Sequence, residues 1–442
     1  MDGKRTFAFA LIVVVGVLQP VAWGQHKITN EERDRAHTAL REIAPDVKKH
    51  YYDPKFHGLD WDSKIREMNQ RIDRADTWNQ ASSEVAALLD SLNDSHTFFL
   101  PPSHSFRPDY GWTAQLIGDR CYVVRVRPGS DAEAKGVKPG DEVLAINGFK
   151  PARNVFWKMN YVYNVLDPQH VMNLELRDPA GKQRAASTVT KFSGSAQRKD
   201  LTGESGGGND IWDIFREEEN AQHEGRIRKE EKGDELLIVK FPNFIYTEQG
   251  MSSMIGDARK HKALILDLRG NPGGSIETLE RLLGDMFDKD IKIGDRVRRD
   301  QRKPEIARAN GHRFDGKLIV LVDSQSASAA EIFARIVQIE ERGTVLGDIS
   351  SGSVMEAKRY SYKYGVDTAV FYGASITDAD IIMTDGQSLE HVGVTPDEIA
   401  LPTAADLASG RDPVLARAAE LAGVKLTTED AGKLFPYEWP RE

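Results

Sequence analysis

Lys317-Leu-Ile-Val-Leu-Val-Asp323 leads into Ser326-Ala-Ser-Ala-Ala-Glu331 and then Ile332-Phe-Ala-Arg-Ile-Val-Gln338: an apolar strand, a turn of small residues and a helix. Small residues at such a turn let a hydroxyl stand at a helix N-terminus, where unpaired backbone N–H groups and the helix dipole favour negative charge. The same groups stabilise a developing oxyanion, so this is a place to build an acyl-transfer site. On both sides the chain alternates strands and helices. Strands are predicted at Leu236–Phe241, Ala263–Leu268, Leu318–Val322, Thr344–Gly347 and Ala369–Phe371, and helices near Ile276–Phe287 and Ala329–Glu340. Continuous apolar runs indicate strands covered on both faces. Residues 236–442 therefore read as an α/β core.

Upstream the period changes twice. Apolar residues recur at helical spacing at Ala36, Leu40, Ile43 and Val47, at Ile65, Met68 and Ile72, and at Val85, Leu88, Leu89 and Leu92, which predicts a helical domain over 25–106. Within it Asn93-Asp-Ser-His-Thr-Phe98 offers a histidine flanked by hydroxyls. Residues 107–192 read as β-rich, with strands at Cys121–Val126 and Val171–Arg177. Residues 193–235 are rich in Gly, Ser and charge, which predicts a linker or mobile insertion carrying one apolar patch, Ile211–Phe215.

Lys4 and Arg5 precede the apolar run Phe7–Leu18, and Ala22-Trp-Gly24 supplies a small-residue cleavage site, so 1–24 reads as a signal peptide and the protein as exported, periplasmic or extracellular. An uncleaved anchor is the alternative, but the run is short of the roughly 20 apolar residues of a spanning helix. Without the leader the net charge of −9 becomes −10, which opposes nonspecific nucleic-acid binding. Cys121, the only cysteine, excludes an intrachain disulfide and reads as a small buried hydrophobe. The histidines lack paired ligand spacing such as His-x-x-x-His, so neither a metal nor another cofactor is expected.

Lys138-Pro-Gly-Asp-Glu-Val-Leu-Ala-Ile-Asn-Gly148, preceded by Pro128–Gly136, resembles a PDZ domain. That resemblance implies that Tyr110, Gly111, Trp112, Thr113 and Ala114 form the loop and strand receiving a peptide C-terminus by strand addition, unless the module is only a spacer or lid. Asp267-Leu-Arg-Gly-Asn-Pro-Gly-Gly274 lacks the ending and spacing of a P-loop, and its glycines can turn N–H groups toward an oxyanion. With Ser326-Ala-Ser-Ala-Ala-Glu331 and Leu389-Glu-His-Val-Gly-Val-Thr-Pro-Asp397, in that order, it makes the chain similar to S41-type peptidases, the group of carboxyl-terminal processing proteases and tricorn core peptidases. The resemblance implies a multidomain α/β protein whose core is of the ClpP/crotonase-like type. It also implies Ser328 as nucleophile, with the amides of Gly274 and Ala329 as oxyanion hole.

One departure decides the expected mechanism. Processing proteases carry a lysine base after the nucleophile, where this chain has Ser353, with Ala357 in place of an assisting glutamine; Lys358 is off register. Tricorn-like members use a Ser-His pair before the PDZ domain and a distant glutamate. Ser95-His96 matches the pair, and Glu390 is the candidate carboxylate. An imidazole with a reference pKa of about 6.5 can take a proton near neutrality and return it to a leaving amine. The expectation is a serine endopeptidase acting on protein or peptide substrates. A non-catalytic peptide-binding protein and an esterase or acyl transferase on the same core are the alternatives.

Overall fold

The computed structural model describes residues 27–102, 106–194, 226–311, 313–365, 370–437 and 439. The expected leader (1–24) and the Ile211–Phe215 patch lie outside them. The described residues form two compact units. One takes 27–102 together with the described part of 357–377, and the other takes the remainder.

The first unit is built on helices Asn30–His50, Trp61–Asp73 and Trp78–Asp90. Thr29 and Glu32 close a reciprocal capping box at the first helix, which satisfies two orphan N–H groups. The apolar stripe Ala36, Leu40, Ile43 and Val47 is buried, and Val85, Leu88, Leu89 and Leu92 meet it in the interior. Arg33 ties the helices together by donating to the carbonyls of Asp73 (2.7 Å) and Ala75 (3.0 Å). This unit is not the continuous stretch expected from residue spacing. Strand Phe98–Leu100 pairs with Gly373–Ser375, and Tyr362 donates to Asp46 at 2.6 Å, so residues 357–377 complete it. A three-residue strand has an open edge to satisfy, and the helical domain alone supplies no partner strand.

In the second unit, residues 112–189 form an antiparallel sheet in the order Trp112–Ile117, Arg120–Val126, Glu142–Ile146, Val171–Arg177, Gln183–Val189. Cys121, Val123, Val143, Ile146, Leu174 and Leu176 pack its interior. Burial pushes the Cys121 thiol far above its ordinary range, which leaves it an inert hydrophobe. Trp112–Ile117 is an edge strand.

The core sheet has the order Glu398–Ile399, Gly343–Gly347, Lys317–Val322, Ala263–Asp267, Leu236–Lys240, Arg228–Lys232, parallel except for the last pair. Alternate side chains face two cores. Leu264, Leu266, Val320 and Val322 pack with helices Glu248–Ala258, Ile276–Met286 and Ala329–Ile339, while Ile265, Ile319 and Leu321 pack with helix Pro413–Leu421. Two-sided burial explains the unbroken apolar runs. Arg228–Lys232 falls inside the stretch predicted as linker: a charged sequence, Arg-Lys-Glu-Glu-Lys, suits an exposed edge strand, and composition alone does not separate the two.

The antiparallel module is fastened to the core at two loops. Gln115 donates to Asp323 at 2.7 Å and Ser324 Oγ donates to the Leu116 carbonyl at 2.5 Å. The Gly118 amide (2.8 Å) and Arg153 (2.6 Å) both reach the Asp348 carboxylate.

Candidate active site

Ser328 stands where strand Lys317–Val322 gives way to helix Ala329–Ile339, at the C-terminal edge of the parallel sheet, the side on which α/β folds place their sites. Its backbone lies at φ +54°, ψ −120°, a conformation L-residues rarely adopt and one held only when neighbours over-determine it. Those neighbours are on the adjoining loops. Asp323 Oδ1 accepts the amides of Gly270 (2.9 Å) and Gln325 (3.0 Å), and Ser326 Oγ donates to the Leu268 carbonyl at 2.7 Å. Asn271 accepts the Ala327 amide at 2.9 Å while its side chain receives the Gly273 amide at 2.8 Å. Ser326 and Asn271 are thus structural.

Gly273 and Gly274 run directly against the Ser328 turn. A Cβ on Gly273 would fall 2.7 Å from Ser328 Cβ and 2.9 Å from the Ala329 nitrogen, so only glycine fits. Phe244 donates to the Gly273 carbonyl and accepts from Ser275, a parallel bridge that leaves the Gly274 N–H directed away from it. Ala329 is the first residue of its helix and has no carbonyl one turn back to bind. The two amides assigned to an oxyanion hole therefore belong to segments in contact, and both are free of secondary-structure bonding.

The segment 350–354 closes another side. The Ser328 amide donates to the Ser353 carbonyl at 2.9 Å, so the residue in the lysine's place lies beside the Ser328 turn. Ser353 Oγ pairs with Ser351 Oγ at 2.9 Å. The next amide, Val354, donates to Glu390 Oε2 at 2.9 Å, which puts the buried Glu390 carboxylate one residue from that position. His391, next to Glu390, adopts φ +59°, a left-handed backbone that a residue with a Cβ rarely takes. Ser328, Ala329, Gly274, Ser353 and Glu390 are brought together in one unit.

Ser95 and His96 belong to the other unit, where both are buried and Ser95 Oγ lies 2.7 Å from His96 Nδ1. Asp94 Oδ1 fixes their turn by accepting the amides of His96 (2.9 Å) and Thr97 (2.6 Å) and the Thr377 hydroxyl (2.7 Å). Residue reasoning assigned Asp94 and Thr377 no role; an Asx turn at Asn93-Asp94 is the signal that points to the first.

The Asp267-Leu-Arg motif is scaffold. Arg269 grips Asp267 at 2.8 Å and Asp412 at 2.8 Å, and Lys240 donates to the Arg269 carbonyl at 2.5 Å. Burial works to raise the Asp267 carboxyl, but Arg269 and Lys240 overcome it and hold it well below the usual carboxylate range. Glu331, the last residue of the Ser326–Glu331 stretch, is fully buried in the first turn of the helix that follows Ser328.

Of the expected peptide-binding residues, Trp112, Thr113 and Ala114 lie on the edge strand, and Gly111, at φ +73°, holds the turn before it. The Gly111 amide is taken by Asp109 at 2.8 Å, and Tyr110 donates to the Tyr163 carbonyl. The buried Trp112 Nε1 and Thr113 Oγ1 have no hydrogen-bond partner among the described residues.

Residues 235–400, which hold the Ser328 turn, Gly273-Gly274 and Glu390, match the model of Peptidase family S41. Over that stretch the chain is similar to S41 peptidases. Its relatives include the tail-specific protease of Haemophilus influenzae, 24% identical over 69% of this chain and 43% of that protein, and the carboxy-terminal processing protease CtpB of Bacillus subtilis, 23% identical over 64% and 56%. The chain thus spans about half the length of these curated relatives. Mature CPAF, solved with lactacystin, is 15% identical with a TM-score of 0.62 over 85% of this chain and 95% of that one, a likeness of fold. S41 peptidases are serine-type hydrolases.

Proposed function

We infer that the protein is an exported serine endopeptidase that captures protein or peptide chains and cleaves them through an acyl-enzyme on Ser328. The observation that carries this is the strained Ser328 turn packed against Gly273-Gly274, with the amides of Gly274 and Ala329 left out of bridge and helix bonding. In the reaction Ser328 Oγ attacks the scissile carbonyl as its proton passes to His96 Nε2, and the resulting oxyanion is met by the two amides. His96 then gives the proton to the leaving amine as the C–N bond breaks, and water repeats the sequence to free the serine. For this His96 must carry its other proton on Nδ1, donated to Ser95 Oγ, a role the 2.7 Å contact supports. Glu390 is the carboxylate that completes the set through Ser95.

The antiparallel module is PDZ-like in this reading. Its edge strand, with Trp112 Nε1 and Thr113 Oγ1 buried and unpaired, supports strand addition by a substrate chain. Among the described residues no helix is long and apolar enough to cross a membrane.

A serine-directed fluorophosphonate should label the wild type and not Ser328→Ala. Equal labelling would end the assignment. Ser353 in the lysine's place favours one second reading, a peptide-binding protein without catalysis, which predicts peptide binding with no Ser328-dependent products.

A further inference from the structure

Glu331 has no exposed surface, and both its oxygens are spent on the walls of the candidate site. Oε1 accepts Ser350 Oγ at 2.6 Å and the Gly352 amide at 2.7 Å; Oε2 accepts the Ser353 amide at 2.9 Å and the Ser328 amide at 3.0 Å. Four donors match the capacity of an ionised carboxylate, so each bond has a definite place. No cation among the described residues pairs with it. The same donors reach further: Ser350 Oγ also accepts the Val394 amide at 2.6 Å, and the Gly352 carbonyl accepts the His391 amide at 2.8 Å. One side chain therefore joins the nucleophile turn, the 350–354 segment and, through it, the Glu390-bearing segment.

We propose that Glu331 is the positioning residue of the nucleophile: by binding the amides of Ser328, Gly352 and Ser353 at once, its carboxylate holds the turn in the conformation that presents the Ser328 hydroxyl. This rests on Ser328 being the nucleophile. A free Ser328 turn would relax from φ +54° toward ordinary helix, carrying Cβ and Oγ off the glycine pair. The carboxylate has to be ionised, because a protonated oxygen would turn a donor toward an amide that is itself a donor. Burial pushes its carboxyl up to about 7, opposed by the hydrogen bonds from Ser350, Ser353, Gly352 and Ser328. The titratable groups on the segment packed against 350–354 are Glu390 and His391.

The test measures the rate of fluorophosphonate labelling of the full chain against pH, with melting followed by circular dichroism. Glu331→Gln, which aims an NH2 at amide donors, should fold and label roughly 100-fold more slowly, the usual consequence of misplacing a reacting group by about 1 Å. Ser350→Ala keeps the carboxylate but removes its hydroxyl donor, so the acid limb of the rate should move up by about one pH unit. His96 is unchanged in both proteins, so the displacement of the limb between them reports Glu331 and not the base. A folded Glu331→Gln labelled at the wild-type rate, or a Ser350→Ala limb that does not move, would overturn the proposal. If Glu331→Gln does not fold, Ser350→Ala decides. A wild type labelled no better than Ser328→Ala would instead refute the nucleophile assignment.

Discussion

Replacing Gly273 by alanine isolates the geometry on which the site depends. The new Cβ would stand 2.7 Å from Ser328 Cβ, 2.8 Å from the Ala327 carbonyl and 2.9 Å from the Ala329 nitrogen. Carbon atoms settle at about 3.5 Å, so the two turns must separate by about 0.8 Å. The Ser328 side cannot yield freely, because its amide is bound by Glu331 and by Ser353. Gly273 also lies at φ +95°, where an L-residue costs about 1–2 kcal/mol. Gly423→Ala carries the same kind of backbone cost, at φ +84°, with nothing within 4 Å of its Cβ. Both variants should therefore lose stability in a denaturant titration. Only Gly273→Ala should also lose Ser328 labelling, by about 100-fold for a displacement near 1 Å. A folded Gly273→Ala that labels as fast as Gly423→Ala would show that the glycine pair does not shape the nucleophile, and the oxyanion-hole assignment would go with it.

Further outcomes follow from other parts of the molecule. His96→Ala should cut peptide turnover by about 10²–10⁴-fold, the range of a lost general base, while binding of a non-cleaved peptide is retained; turnover at the wild-type rate would exclude the histidine. Arg269→Met leaves Asp267 buried without its main partner and should lower unfolding free energy by about 3–5 kcal/mol in urea. Because burial raises Glu331 from its ordinary 4.5 to about 7, the folded chain keeps a proton that the unfolded chain releases. Stability should therefore fall as pH rises through that window, by up to about 3 kcal/mol, and Glu331→Gln should lack this part of the fall. Cys121 should resist alkylation by iodoacetamide until the chain is unfolded; rapid modification of native protein would contradict its burial.

Much of the core was readable because its physics is local. An unbroken apolar run such as Leu318–Val322 means two buried faces, and the small residues around Ser328 mean a tight turn. Elements that take their partners from far along the chain were less legible. Val370–Met383 is a strand of 14 residues, predicted only as Ala369–Phe371, because Thr377-Asp378-Ala-Asp380 interrupts its apolar pattern. Those polar side chains are satisfied elsewhere: Thr377 by Asp94, Asp378 by Arg298 and Asp380 by Ser388. The hairpin Ile291–Val297 with Arg302–Ala307 is likewise dense in charge and is held by cross-strand pairs such as Arg296–Glu305. At the site, residue types pointed to Ser328 and the glycines, but Glu331 looks like any acidic residue in a first helical turn until its four donors are seen.

The fastening of the antiparallel module has a consequence for anyone who would exchange it. Leu116 and Gln115 meet the chain at Ser324 and Asp323, and Gly118 and Arg153 meet it at Asp348, two residues before Ser350. A transplanted module would have to bring matching partners for both loops, or it would unsettle the Asp323–Ser328 and Asp348–Ser353 segments they hold. Grafts that keep Gln115, Gly118 and Arg153 and vary the far strands are the ones this architecture tolerates.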